Sequence, residues 1–175
     1  MNSLVESLGL LCLAIDQGGE NNVGRTKLQK MIYFADRYMD WDVGDYQLHY
    51  YGPYSQSVAS VLKTARNDLL DERKPGLGPY QYSITDEGVA FMTSFVKSID
   101  DERMEKTSDL FQELAAWSKE ELELAATIDY VNKNIHDINR DELINKVSII
   151  KENFSMESIE AAYQKWLNWK QNHNF

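Results

Sequence analysis

The stretch Tyr46-Gln-Leu-His-Tyr-Tyr-Gly-Pro-Tyr-Ser55, with the apolar series Val58, Val61, Leu62, Ala65 and Leu69 behind it, decides the fold class. Tyr46, Leu48 and Tyr50 alternate with Gln47, His49 and Tyr51, which is the two-residue period of a half-buried strand. Gly52-Pro53 stops that strand, and Ser55 is a residue type that caps a helix by accepting from a free backbone amide. The apolar series then recurs at three- and four-residue intervals, predicting a helix that runs to about Leu69. Two helices precede it. Leu4, Leu8, Leu11 and Ile15 mark the first, from Ser3 to Asp16, which Gly18-Gly19 ends. Leu28, Met31, Ile32, Ala35 and Met39 share one face of the second, from about Thr26 to Asp40, while Lys27, Lys30 and Arg37 point elsewhere.

Beyond the third helix, Lys74-Pro-Gly-Leu-Gly-Pro79 cannot sustain a regular element and reads as a loop. A short strand, Tyr80 to Ile84, leaves it, and Thr85 starts a helix through about Ser98. Helices, a Gly/Pro loop and a short strand in this order resemble a winged helix with the loop as its wing, although a helix-turn-helix joins its helices through roughly 3–4 residues. Here about fifteen residues, including a strand, separate the second and third helices. Farther on, Ser118 with Glu121 and Asn139 with Glu142 form capping-box patterns, and Ser155 opens a final helix carrying Ile159, Ala162, Tyr163 and Trp166. The expected fold is mainly α with a small β component. A winged-helix-like part, 1–98, carries a C-terminal helical extension, 99–175, that packs on it as one compact unit.

A chain of 175 residues can bury a core without disulfides or metals. No apolar run approaches the roughly 20 residues of a membrane helix, and Met1 to Ile15 lacks the basic start of a signal peptide. Cys12 is the only cysteine, so no internal disulfide can form, and a reducing, cytoplasmic location is expected. The net charge of −10 opposes general attraction to nucleic acid. Its distribution is uneven. Residues 1 to 75 hold 8 basic and 10 acidic side chains, and residues 76 to 175 hold 10 and 18. A local basic surface in the first half could therefore come from Arg25, Lys27, Lys30 and Arg37 on the second helix, and from Lys63, Arg66, Arg73 and Lys74 on or after the third. Solvated helix faces balanced by neighbouring carboxylates are the other reading of the same residues.

His49, His136 and His173 are scattered, and Cys12 has no neighbouring His, so neither a metal site nor a thiol nucleophile is expected. Phosphate-loop, dinucleotide-glycine and nucleophile-elbow patterns are missing. The expectation is a protein without catalytic activity or cofactor.

Two strings stand apart, Gly24-Arg-Thr-Lys-Leu-Gln-Lys-Met-Ile-Tyr-Phe-Ala35 and Tyr50-Tyr-Gly-Pro-Tyr-Ser55. Through them the chain resembles the YwgA-like proteins and, more distantly, the Panacea domain of bacterial and phage antitoxins. The resemblance is carried by residues 24 to 70 and extends weakly to Tyr82–Gly88 and to Lys151-Glu-Asn-Phe-Ser155 before the final helix. It implies a winged-helix derivative of regulatory function that binds DNA, or alternatively a protein-interaction module such as an antitoxin or adaptor. Its partner would be DNA or another protein, with a homodimer among the assemblies open to it. The residues expected to meet that partner are Arg25, Lys27, Lys30, Tyr51, Tyr54, Ser55, Lys63, Arg66, Arg73 and Lys74. Free amides at the helix start by Ser55 suit a phosphate or an acidic side chain. A well-packed aromatic turn that needs no ligand would use the same residues.

Overall fold

Leu10, Leu11, Cys12, Leu13, Ala14 and Ile15 are all buried, so the first helix, α1 (Ser3–Gly18), is enclosed on every side from Leu10 to Ile15. The computed structural model describes residues 3–19 and 22–175. Met1 and Asn2, at the head of the apolar N-terminal stretch, lie outside the described residues, as do Glu20 and Asn21. The second helix, α2 (Arg25–Met39), is buried without a break from Leu28 to Ala35. Gln29 and Lys30 fall within that span, which corrects the expectation that Lys30 points away from the core: it is 1% exposed.

The strand expected at 46–51 is one arm of a hairpin. β1 (Tyr46–His49) pairs antiparallel with β2 (Gly52–Ser55), from Tyr46↔Ser55 to His49↔Gly52, around a two-residue turn at Tyr50-Tyr51. Gly52-Pro53 therefore opens a second strand, where the sequence pattern suggests only a stop. The expected half-buried face is also absent. Tyr46 is partly buried, but Leu48 and Tyr50 are exposed, because the inner arm β2 occupies the position against α2. Ser55 caps α3 (Gln56–Ala65), its Oγ accepting from the Val58 amide at 3.2 Å. That helix ends four residues earlier than expected, since Arg66 has an extended backbone and bridges to Leu70.

A second hairpin follows, β3 (Leu70–Arg73) antiparallel to β4 (Gln81–Ile84), with the Gly/Pro loop at its tip. Alternation does not reveal β3, whose residues are Leu-Asp-Glu-Arg. Thr85 then caps α4 (Asp86–Val96). The C-terminal part consists of α5 (Asp101–Ala115), α6 (Lys119–Asn134), α7 (Arg140–Ile150) and α8 (Met156–His173). Both expected capping boxes, Ser118/Glu121 and Asn139/Glu142, are formed, and Ser155 caps α8. The described residues thus form eight helices and two two-stranded antiparallel sheets.

α5 packs on α1 and α2, and α6 packs on α2, β2, α7 and α8. The junction of α2, α6 and α8 is pinned by Asp129 of α6, which is 1% exposed. Its carboxylate accepts from Tyr33 at 2.8 Å, from Trp166 at 3.1 Å and from Tyr38, with Arg37 Nε 3.3 Å away. A buried carboxylate is tolerable only when donors and a counter-charge surround it in this way. Among the described residues no helix is long and apolar enough to cross a membrane.

Candidate functional site

The two strings that stand out in the sequence hold each other in space. Gln29, in the middle of α2, accepts from the Ser55 amide and donates to the Ser55 carbonyl, both at 3.0 Å. The residue type follows from this geometry, because a side-chain amide can copy both hydrogen bonds that a neighbouring strand would offer. Next to it, Lys30 Nζ donates to the Pro53 carbonyl at 2.6 Å. From the far side, Lys151 Nζ donates to the Tyr50 carbonyl at 2.5 Å and to Glu123 Oε1 at 2.7 Å. Gly52 lies between them with φ +85, and a Cβ there would stand 2.7 Å from Thr127 Oγ1. Both conformation and space require glycine at this position.

Two buried ammonium groups thus face one buried carboxylate beneath the hairpin. Burial lowers the Lys30 ammonium to about 7, with Glu123 opposing the fall and Lys151 adding to it.

In front of this latch, α2, the first hairpin, α3 and β4 enclose a cleft of about 560 Å³, within the range of small-ligand sites. Four cations border it: Arg25, Lys30, Lys63 and Arg66. The ring-bearing residues are His49, Tyr51, Tyr54 and Tyr82, and no carboxylate is among the bordering side chains. Behind the wall, however, Glu72 organises the two arginines. Its Oε2 is 2.8 Å from Arg25 and accepts from Tyr82 at 2.5 Å, and its Oε1 is 3.3 Å from Arg66. Burial would raise the Glu72 carboxyl, but hydrogen bonds from Tyr82 and Arg25 and the charges of Arg25 and Arg66 outweigh it and hold the group below its ordinary value. Arg25 is held further by Tyr82 at 2.8 Å and by stacking 3.7 Å over the Tyr80 ring. Such a cleft offers oriented cations and aromatic faces to an anionic, ring-bearing ligand.

No family model matches the sequence. Over 146 residues the chain is 30% identical to the uncharacterized protein YwgA of Bacillus subtilis (strain 168), an overlap of 81% of this chain and 84% of that protein. This chain belongs to the YwgA family.

Of the ten residues that the sequence of this YwgA-family chain nominates, Arg25, Lys30, Tyr51, Tyr54, Lys63 and Arg66 border the cleft. Lys27 leaves α2 on another side, donating to the Ala115 carbonyl at 2.8 Å, and burial lowers its ammonium. Ser55 is fully buried as the cap of α3, with its Oγ accepting from the Val58 amide. Arg73 and Lys74 sit at the second hairpin's tip, where Lys74 lies 5.1 Å over the Tyr80 ring. Gln29, His49, Glu72, Tyr82 and Glu123 are not among the ten. Spacing could have found Gln29, four residues from Arg25 and so on the same helix face. Lys151 stands out in the sequence only for its place before the last helix. Glu72 and Tyr82 meet only through the pairing of β3 with β4, where they are direct partners.

Among the described residues no three His, Cys, Asp or Glu side chains converge as metal ligands. Cys12 is buried, and burial, then the Asp16 charge, pushes its thiol up to about 12.

Proposed function

We propose that this YwgA-family protein is a non-catalytic regulatory module of winged-helix-like build that binds nucleic acid, with α3 and the β3–β4 hairpin as the helix and wing. The observation that carries the reading is the cleft border. Arg25, Lys30, Lys63 and Arg66 meet there without a bordering carboxylate, on a chain whose net charge is −10. In an acidic protein a nucleic acid is repelled everywhere except at such a place, which localises contact. Lys30 borders the cleft with its ammonium lowered to about 7, but its Nζ is engaged by the Pro53 carbonyl.

The test is fluorescence anisotropy of labelled DNA titrated with the full chain at two salt concentrations. The two charges free to neutralise phosphate, Lys63 and the one that Glu72 leaves uncompensated on Arg25 and Arg66, correspond to a log–log salt slope of about −2. Binding that is undetectable even at about 50 mM salt would sink the proposal.

A protein-interaction module, such as an antitoxin or adaptor, is the second reading. The exposed Leu48, Tyr50 and Tyr51 at the first hairpin's turn favour it, since aromatic side chains are enriched at protein interfaces. A partner docked there would give binding that salt hardly weakens.

A further inference from the structure

The geometry points to an unpaired nucleotide as the occupant of the cleft, so that the protein prefers single-stranded or looped nucleic acid to a duplex; this rests on the nucleic-acid reading above. Three observations combine. The first is which face of α3 is charged. Ala59, Leu62, Lys63 and Arg66 line the cleft, so the cationic side of the helix forms a concave wall. Its outward side carries Ser60 and Thr64, whose hydroxyls donate back to Gln56 and Ser60 carbonyls at 2.9 and 3.1 Å. A helix that reads a duplex must project its contacting side into the major groove. Here the projecting side carries a single charge, the exposed Lys63 beside Ser60 and Thr64, while Arg66 is half-buried in the cleft wall.

The second observation is the pairing of cations with rings. His49 and Tyr54 lie 5.4 Å apart with planes inclined by 37°, and Tyr51 is exposed on the adjoining turn. Aromatic faces beside a cationic groove are the usual means of holding single strands, because a base can stack only after leaving its own helix. The third is preorganisation. Arg25 and Arg66 share the single carboxylate of Glu72, which fixes both guanidiniums and leaves one positive charge uncompensated for a phosphate. A cleft of about 560 Å³ is large enough for one nucleotide.

The full chain is titrated by anisotropy against a fluorescein-labelled oligothymidine of about twelve nucleotides and against the same strand paired with its complement. We expect the single strand to bind at least about tenfold more tightly, and thymidine 5′-monophosphate to compete for it. Tyr54→Ala and the more exposed Tyr51→Ala should each weaken the single-stranded complex by about tenfold, a larger loss than for the duplex, and Tyr54→Phe should restore it. Duplex binding equal to or tighter than single-strand binding overturns this inference and leaves the nucleic-acid reading standing, as does a folded Tyr51→Ala variant with undiminished single-strand affinity. Failure of both probes to bind overturns the nucleic-acid reading itself.

Discussion

Lys30 Nζ donates to the Pro53 carbonyl at 2.6 Å, tying the centre of α2 to the inner strand of the first hairpin. The bond keeps an ammonium almost out of water, beside a second buried lysine and a single buried glutamate. Pairing that is incomplete in charge must leave a trace in the pH dependence of folding.

Burial lowers Lys30 from an ordinary 10.5 to about 7. Between these values the unfolded chain binds the proton and the folded chain has released it, so stability rises with pH in that window. Lys27, also lowered by burial, acts in the same direction. Above about 9 the sign reverses, because Cys12 and the buried Tyr33, Tyr38 and Tyr46 keep protons in the folded chain that the unfolded chain gives up. The urea midpoint should therefore climb from pH 7 to about 9, by at most about 1.4 kcal/mol per pH unit for Lys30 alone. Lys30→Met should flatten the climb. A native chain whose midpoint stays level or falls across this window contradicts the burial argument.

Gly52 offers a sharper test of the latch. Any side chain there must adopt a positive φ, which costs roughly 1–2 kcal/mol, before its Cβ meets Thr127 Oγ1 at 2.7 Å. Gly52→Ala should cost about 2–4 kcal/mol in a denaturant melt, the backbone cost plus overpacking. Adding Thr127→Ala removes the obstructing oxygen and should recover the part due to overlap. Strict additivity of the two changes would show that the contact does not exist.

Leu62 and Leu48 both lie on apolar patterns in the sequence, yet only one is buried. Leu62 is 6% exposed in the core face of α3, and its replacement by alanine should cost about 2–5 kcal/mol. Leu48 is 39% exposed on the outer arm of the hairpin, so Leu48→Ala should change stability by no more than about 0.5 kcal/mol. Similar losses in the two variants would mean that the hairpin packs with β1 inward.

That contrast also marks what the sequence can reveal. Helix starts are legible because Ser55, Thr85, Ser118, Asn139 and Ser155 satisfy amides only a few residues away, and every one of them caps. Leu48 misleads because alternation records a strand's two faces, not which of them a neighbouring strand will leave in solvent. β3 is invisible for the opposite reason: Asp71, Glu72 and Arg73 carry no apolar period, and pairing with β4 holds them extended. The site is half legible. Cations clustered on α2 and α3 announce themselves by spacing, but Lys151 reaches the Tyr50 carbonyl across 101 positions, and nothing local in the chain encodes such an approach.

Charge at the cleft can be changed without disturbing the fold only if the right residue is chosen. Lys63 is exposed in the last turn of α3, so Lys63→Glu should leave the melting temperature unchanged. Arg66 differs, since it lies 3.3 Å from Glu72, and Arg66→Glu would set two carboxylates against each other. Arg66→Gln removes the charge without that repulsion. In the Lys63→Glu/Arg66→Gln double variant, nucleic-acid affinity should fall for all sequences alike, because phosphate contacts carry no base information. The log–log salt slope should shrink by about one for each phosphate that is no longer neutralised. A protein ligand at this wall would instead bind less tightly with little change in salt dependence, as its complex releases no condensed counterions. Full binding by the folded double variant would move the docking surface off the cleft, to the exposed Leu48 and Tyr50 beside the hairpin turn.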